Sequence, residues 1–188
     1  TGGLVAVDLA DRSLAWGATY DPIDFSYAST NDVWTDNGLI RVGELLLFSP
    51  VDSSEFFVVE PDSGGIKLRR ERENKLFLAG QYNDQVVIVE KDRITLDNLK
   101  GFSARSIPLP DRPTGTGFLA GDFYFLPSSN QQLAIINLKE AKIEKILQTP
   151  FQFGNIISSN GRIISHSAET VAAFYQKPYA ETLAKSLL

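Results

Sequence analysis

Ala6-Val7-Asp8-Leu9 is the first of four related stretches that decide the fold of this 188-residue chain. In each, apolar residues lead into an acidic or amide residue. The later three are Val58-Val59-Glu60-Pro61, Thr95-Leu96-Asp97-Asn98 and Ile135-Ile136-Asn137-Leu138, and Ala173-Phe174-Tyr175 follows as a weaker fifth. The aligned residues Asp8, Glu60, Asp97, Asn137 and Tyr175 are 52, 37, 40 and 38 residues apart. A period near forty residues predicts an array of similar small sheets.

A tight turn precedes each later stretch and repeats with nearly the same period. These turns are Gly43-Glu44, Asn83-Asp84, Gly121-Asp122 and Gly161-Arg162. Glycine and asparagine tolerate the positive φ of two-residue hairpin turns. Two independent markers therefore predict antiparallel hairpins at a common spacing.

Short apolar segments between these turns predict four strands in each complete period. The predicted strands are residues 39–42, 45–48, 56–60 and 66–69, then 76–81, 86–90, 94–99 and 103–107, then 117–120, 123–126, 133–138 and 143–147. The expected fold class is all-β, a β-propeller whose blades are four-stranded antiparallel sheets.

The two ends of the chain supply incomplete periods. Residues 1–19 hold only the last two strands of a period, and residues 153–176 hold the first three. We therefore expect a partial β-propeller over residues 1–177, with about three whole and two partial blades. Since most propellers need more blades to close, we expect this chain to be part of a longer propeller or to close against another chain.

Residues 178–188 change character after Pro178. Their apolar residues recur at helical spacing and are Ala180, Leu183, Ala184, Leu187 and Leu188. This pattern predicts a short C-terminal amphipathic helix. The helix either packs on the last blade or begins a helical region.

Composition excludes several function classes. The chain carries 18 basic and 23 acidic residues, a net charge of −5, and therefore lacks the basic field that nucleic-acid binding requires. The chain has no run of about 20 apolar residues, so its sequence predicts no membrane-spanning helix. Because the chain begins at Thr1 without methionine, the absence of a targeting signal is uninformative.

The sequence offers few groups for chemistry. It has no cysteine and a single histidine, His166, so we expect no disulfide, cysteine-bound zinc or multi-histidine metal site, and no cofactor. His166 lies in an apolar-flanked strand, which favours a hydrogen-bonded structural role.

Asp62-Ser63-Gly64-Gly65 is interpreted as a hairpin turn rather than a phosphate-binding loop. A glycosidase would need two converging carboxylates, but the candidate acids are interpreted as turn formers. They are Asp32, Asp36, Asp62, Asp84, Asp92, Asp111 and Asp122.

Residues 3–16 carry a resemblance to a known repeat. Gly3-Leu4-Val5-Ala6-Val7-Asp8-Leu9-Ala10-Asp11-Arg12-Ser13-Leu14-Ala15-Trp16 resembles the pyrroloquinoline-quinone-like, or quinoprotein-type, propeller repeat. That repeat runs Gly, an apolar residue, any residue, Ala-Leu-Asp, two variable residues, Thr-Gly-Lys, two variable residues and Trp. Trp16 occupies the tryptophan position, which favours a structural contact between blades. The stretch from Val58 to Leu68 matches less well, with Leu68 in place of the tryptophan.

The chain also looks similar to bacterial, planctomycete-type proteins in which such a propeller precedes helical repeats. Residues 60–72, 117–127 and 172–176 carry this likeness. It implies a periplasmic or otherwise exported propeller without catalytic residues. The alternative is a fragment of a quinone-dependent dehydrogenase whose active site lies in missing blades. That class is expected to bind its quinone between a tryptophan and a vicinal disulfide, with a metal ion and a catalytic aspartate, and this chain has no cysteine.

The longest predicted loop, Thr19 to Asp36, is rich in aromatic residues. Tyr20, Phe25, Tyr27 and Trp34 form a candidate partner-binding loop, because aromatic residues are enriched at binding hot spots. Alternatively, Phe25 and Tyr27 pack the loop onto its own blade. The sequence thus favours a protein-binding or scaffold module, whose partner is another protein or the remaining part of the same propeller.

Overall fold

The structure is a computed structural model that describes residues 2–22, 38–99 and 104–176. These residues form seventeen β-strands and no helix. The predicted C-terminal helix at 178–188 lies outside the described residues. None of the described residues forms a helix with the length and apolar character needed to cross a membrane.

The strands form five sheets in chain order. The first sheet contains β1 (Gly2–Val7) and β2 (Leu14–Tyr20). The second contains β3 (Gly38–Val42), β4 (Leu45–Ser49), β5 (Glu55–Val59) and β6 (Ile66–Glu71). The third contains β7 (Lys75–Tyr82), β8 (Gln85–Glu90), β9 (Arg93–Asp97) and β10 (Arg105–Pro108). The fourth contains β11 (Phe118–Ala120), β12 (Phe123–Ser128), β13 (Gln132–Asn137) and β14 (Lys142–Gln148), and the fifth β15 (Asn155–Ser159), β16 (Arg162–His166) and β17 (Val171–Tyr175).

Within each sheet, strands that are consecutive in sequence are neighbours in space. Every neighbouring pair in the first, second, fourth and fifth sheets is antiparallel. The all-β prediction of three four-stranded sheets, preceded by two strands and followed by three, is therefore confirmed. Strand ends in the three complete sheets agree with the predicted ones to within two residues.

The chain divides into two compact units, and each has its own packing. Unit 1 is Thr1–Lys91 with Thr95–Ala104, and unit 2 is Asp92–Ile94 with Arg105–Leu188. In unit 1, one apolar cluster comprises Val42, Leu47, Phe56, Val58, Leu78, Val86 and Ile88, and a second centres on Phe48, Phe57 and Val59. In unit 2, a cluster centres on Leu133, Phe153 and Ile156.

Middle and outer strands differ in sequence because they differ in burial. Phe56–Val59 in β5 and Val86–Val89 in β8 are buried at every position, as strands covered on both faces require. The outer strand β6 instead alternates between partly buried and exposed residues. A continuous apolar run therefore marks the middle strands β5 and β8, and alternation marks the outer strand β6.

The aligned residues lie at the turn between the third and fourth strands of their periods, and this turn repeats in detail. Four residues after the aligned residue, Arg12, Gly64 and Ala141 have φ of 63°, 70° and 52°. Seven residues after it, the register shifts by one residue in all three sheets, at Ala15, Lys67 and Glu144. The repeat therefore encodes one turn followed by a β-bulge.

We expect Ala141→Gly to stabilise the chain by about 0.5–1 kcal/mol. Glycine adopts positive φ without the cost that Ala141 incurs, although part of the gain is offset by the greater entropy of the unfolded chain. Urea unfolding measures the difference, with Glu140→Gly, whose φ is not positive, as the neighbouring control. Gly64→Ala should destabilise, since an added Cβ would lie 2.4 Å from Trp16 Cε3. An Ala141→Gly variant no more stable than the wild type would contradict the assignment of strain to this turn.

Candidate partner-binding surface

The structure describes one of the four residues of the predicted partner-binding loop. Tyr20 is the last residue of β2 in unit 1. Phe25, Tyr27 and Trp34 lie outside the described residues. The role of this loop in binding a partner therefore stays a prediction, and its described part is the point where it leaves the first sheet.

The Tyr20 ring packs inside unit 1. Its centroid lies 5.8 Å from that of Phe48 and 5.5 Å from that of Phe57. An added Cβ at Gly2 would lie 2.2 Å from Tyr20 Cζ, so glycine is needed where β1 passes the ring. Tyr20 thus fixes the end of β2 against the second sheet.

The Tyr20 hydroxyl donates a hydrogen bond to Asp52 Oδ1 at 2.6 Å. Asp52 lies in the connection between β4 and β5. Burial, followed by the hydrogen bond to Asp52 and its negative charge, raises the pKa of Tyr20 to about 12. The first residues of the long loop are therefore tied to a neighbouring connection by a charge-assisted bond.

The β4–β5 connection is itself held in place. The Pro50 carbonyl accepts hydrogen bonds from the Ser53 amide at 3.3 Å and from Arg72 Nη1 at 2.8 Å. Ser53 Oγ accepts the Glu55 amide at 3.1 Å. An open groove lies beside this connection, lined by Gly3, Leu4, Val5, Tyr20, Phe48, Val51 and Asp52. We call this part of unit 1, Tyr20 to Pro22 with Pro50 to Ser54, the loop end.

The aligned polar residues are used within their own turns. Asp8 Oδ1 accepts the Ala10 amide at 2.7 Å, and Asn137 Oδ1 accepts the Glu140 amide at 3.0 Å. Glu60 pairs with Lys67 at 2.6 Å and accepts a hydrogen bond from Ser63 Oγ at 2.9 Å, and the bond with Lys67, followed by that with Ser63, holds the pKa of Glu60 below its usual value. The Asp62–Gly65 segment joins β5 to β6 and is a hairpin turn, as predicted.

Outer strands send hydrogen-bond donors to the turn of the following sheet. In unit 1, Trp16 Nε1 donates to the Pro61 carbonyl at 2.6 Å, and its ring lies against Gly64. The interpretation of Trp16 as a structural contact between sheets is thus confirmed. In unit 2, Arg105 Nη1 donates to the Lys139 carbonyl at 3.0 Å. We call these contacts the clasps.

A third clasp in unit 1 is an ion pair. Arg70 Nη1 in β6 lies 2.9 Å from Asp97 Oδ2, and Asp97 Oδ1 accepts the Leu99 amide at 2.8 Å. The Asp97 side chain is only 6% exposed. A buried carboxylate is tolerated here because both of its oxygens have donors.

Two of the remaining candidate acids bond to neighbouring side chains within their own units. Asp92 pairs with Arg93, which lowers the pKa of Asp92, and Asp111 accepts hydrogen bonds from Ser129 and Asn130. Among residues 2–22, 38–99 and 104–176, no three histidine or acidic residues group as a metal site would need. Asp32 and Asp36 lie outside this set. His166 is exposed in β16, and the described residues supply no hydrogen bond to its side chain.

Sequence reasoning missed two features of this surface. Asp52 was not singled out, since nothing in Ser49-Pro50-Val51-Asp52-Ser53 distinguishes it from a turn former. Arg105 was also missed, although its distance in sequence from the aligned residue Asp97 would have identified it. It stands eight residues after Asp97, as Trp16 stands eight after Asp8.

Comparison with known proteins supports the fold. No protein-family model and no curated protein sequence matches the chain. BamB from Moraxella catarrhalis is similar in structure, with 15% identity, a TM-score of 0.63, and coverage of 93% of this chain and 55% of that one. The WD40 β-propeller domain of Doa1 has 16% identity, a TM-score of 0.59 and coverage of 90% and 57%. A structure of S. cerevisiae dbp5 bound to nup159 has 12% identity, a TM-score of 0.53 and coverage of 72% and 42%.

These similarities show a β-propeller fold. The chain spans little more than half the length of the first two structures. The five sheets are therefore blades, and the three clasps join β2, β6 and β10 each to the blade that follows it.

We expect the free energy of unfolding to fall between pH 10 and pH 12 through Tyr20. Its pKa of about 12 in the folded chain lies above the ordinary value of 10.0, so the folded state holds the proton more tightly. This contribution is complete below pH 10 and is lost as the pH rises through 12. The stability difference between the wild type and Tyr20→Phe, measured by urea unfolding, should therefore shrink over this range.

Two further variants test whether Asp52 causes the raised pKa of Tyr20. Asp52→Asn should lower the pKa of Tyr20, seen by ultraviolet titration of the phenol, because it removes the neighbouring charge. Tyr175→Phe removes a hydroxyl from a half-exposed ring on β17 and serves as the control. A Tyr20 titration unaffected by Asp52→Asn would show that the hydrogen bond does not form in solution.

Trp16→Phe should cost about 1 kcal/mol, because it keeps an aromatic ring but removes the N–H that Pro61 accepts. Urea unfolding followed by circular dichroism measures it. Leu14→Ala, on the same strand and 66% exposed, should change stability by no more than about 0.5 kcal/mol. Equal effects of the two substitutions would argue against the clasp.

Proposed function

We propose that this protein is a non-catalytic β-propeller scaffold that binds another protein through the loop end of unit 1. The binding residues would come from the segment between β2 and β3 and include Phe25, Tyr27 and Trp34. Tyr20 serves as the anchor from which this segment departs. Aromatic residues supply much of the energy of protein interfaces, which fits this segment's composition.

The observation that carries the proposal is the Tyr20–Asp52 hydrogen bond. It ties the start of the aromatic segment to a connection that Arg72 and Ser53 already hold. A segment rooted on a fixed base loses less entropy on binding than a freely moving one. Val51 and Asp52 beside it add an apolar and an acidic contact to the same surface.

A non-catalytic role is also supported by how the carboxylates are used. Asp8, Glu60 and Asp97 accept hydrogen bonds within turns or clasps, and Asp111 binds two side chains. An acid or base catalyst must be available to substrate, and these groups are engaged in structure. One similar structure contains dbp5 bound to nup159, and we propose that this chain binds a protein partner as well.

We further propose that the repeats are of the quinoprotein type and that the protein is bacterial and exported to the periplasm. Trp16 at the tryptophan position meets Gly64 at the glycine position of the next repeat, which supports the repeat assignment. The same contact disfavours the quinone-dependent dehydrogenase alternative for this tryptophan, since its ring already lies against Gly64. Cell fractionation with an antibody tests the location.

A triple variant, Phe25→Ala with Tyr27→Ala and Trp34→Ala, tests the binding proposal. Proteins captured by the wild type and the variant are compared by quantitative mass spectrometry, and the best candidate is purified for calorimetry. We expect affinity to fall at least about tenfold, the loss of one hot-spot residue. Leu9→Ala with Leu14→Ala, two exposed apolar residues at the other end of the first sheet, is the matched control. Equal affinity of the triple variant and the wild type would refute the proposal.

A further inference from the structure

The outermost strands of the first, second and fourth blades differ in how their edges are protected. Exposed edge strands usually carry charged residues that prevent pairing with another chain. The sequence of β6 is Ile-Lys-Leu-Arg-Arg-Glu and that of β14 is Lys-Ile-Glu-Lys-Ile-Leu-Gln. The sequence of β2 is Leu-Ala-Trp-Gly-Ala-Thr-Tyr, without one charge or proline. Among the described residues β2 pairs only with β1, so this unprotected strand lies at an edge.

The face of β2 that points away from the second blade is exposed and carries small side chains. Trp16, Ala18 and Tyr20 are the partly buried residues of the strand, and the alternate residues Ala15, Gly17 and Thr19 are exposed. Within the described part of the chain, an added Cβ at Gly17 would meet only the Val5 side chain within 4 Å, at 3.8 Å. From Trp16 to Tyr20 the register with β1 is regular. Five residues of regular, uncharged backbone can therefore accept another strand.

Charges at the two ends of β2 indicate what kind of strand would bind. Asp8 and Asp11 precede it, Asp21 follows it, and Arg12 is the one basic residue between positions 2 and 22. The hydrogen bond with Ser13 lowers the pKa of Asp11, which keeps that carboxylate charged. All four of these residues are exposed. An incoming strand with basic residues at its ends would meet opposite charge at both ends of β2.

We propose that β2 is a β-augmentation site for an extended segment of another protein that has lysine or arginine on both sides of a short β-branched core. Main-chain hydrogen bonds to the free edge of β2 would supply affinity, and the flanking acids would select the basic ends. This site goes beyond the loop-end proposal: it shares Tyr20 and Asp21 with the loop end but uses neither Asp52 nor Phe25, Tyr27 and Trp34.

A second copy of this chain would pair with the β2 edge less favourably than a basic peptide would. Antiparallel pairing of two β2 strands centred on Trp16 would place Asp11 of one copy opposite Asp21 of the other. Like charges in such positions destabilise a strand pair. The charge pattern therefore favours a basic peptide over self-association.

The test uses the full chain and a fluorescent peptide, Lys-Lys-Val-Thr-Val-Thr-Val-Lys-Lys. We expect saturable binding by fluorescence anisotropy, and slower hydrogen exchange at alternate β2 amides when the peptide is bound. Gly17→Lys should weaken binding at least about tenfold, since it adds a positive charge to the open face. Ile146→Lys is the matched control, because Ile146 stands nine residues after Asn137 as Gly17 stands nine after Asp8, and should leave binding unchanged. Circular dichroism and urea unfolding check that both variants fold.

Several results would overturn the proposal. The first is no binding of this peptide, and the second is equal loss in Gly17→Lys and Ile146→Lys. A peptide with glutamate in place of lysine that binds as tightly would remove the charge argument. β2 amides already protected before peptide addition would show that the edge is filled within the chain. A dimer in sedimentation that Gly17→Lys dissociates would assign the edge to a second copy. The triple variant at positions 25, 27 and 34 should bind the peptide normally, so the two proposals fail independently.

Discussion

The clasp between an outer strand and the next blade's turn is the contact that sets how two neighbouring blades are offset. Apolar faces alone bring sheets together but do not fix how far one slides along the other. The bond from Trp16 Nε1 to the Pro61 carbonyl has a direction, and the Trp16 ring fits only because residue 64 has no side chain. Such a bond sets the offset between two sheets, which in turn determines which apolar residues meet. The repeat of the turn is therefore a repeat of the docking geometry.

The docking geometry is kept when the donor side chain of the clasp changes. Arg105 reaches a turn carbonyl from the same repeat position as Trp16, although one donor is an indole and the other a guanidinium. Where Leu68 occupies that position, Arg70 two residues later bonds to Asp97 instead. A long side chain with a donor at its tip is what the clasp requires. The repeat can therefore drift in sequence, which explains why the later units resemble the quinoprotein pattern less than residues 3–16 do.

Local chemistry made the fold predictable, and long-range pairing limited what could be predicted about the site. Gly43, Gly121 and the Asn83-Asp84 pair mark turns through their own backbone preferences, so strand ends followed from the sequence. The positive φ of Arg12 and Ala141 was not predictable from residue type, because the surrounding turn imposes it. The bond between Tyr20 and Asp52 joins residues 32 positions apart, and no periodicity relates them. Trp16 was interpreted correctly since its repeat position supplied the missing long-range information.

The distribution of charge between turns and edges separates what the scaffold needs from what is left for recognition. A buried carboxylate that accepts a turn amide, as Asp97 does, stabilises the blade and loses freedom to act on a ligand. Charged residues on β6 and β14 are the kind that protect an edge strand from pairing with another chain, although Arg70 of β6 also forms a clasp. β2 lacks that protection although it stands in the same place in its sheet. Because leaving an edge unprotected carries a risk of aggregation, an uncharged β2 is more easily explained by a strand that pairs with it than by chance.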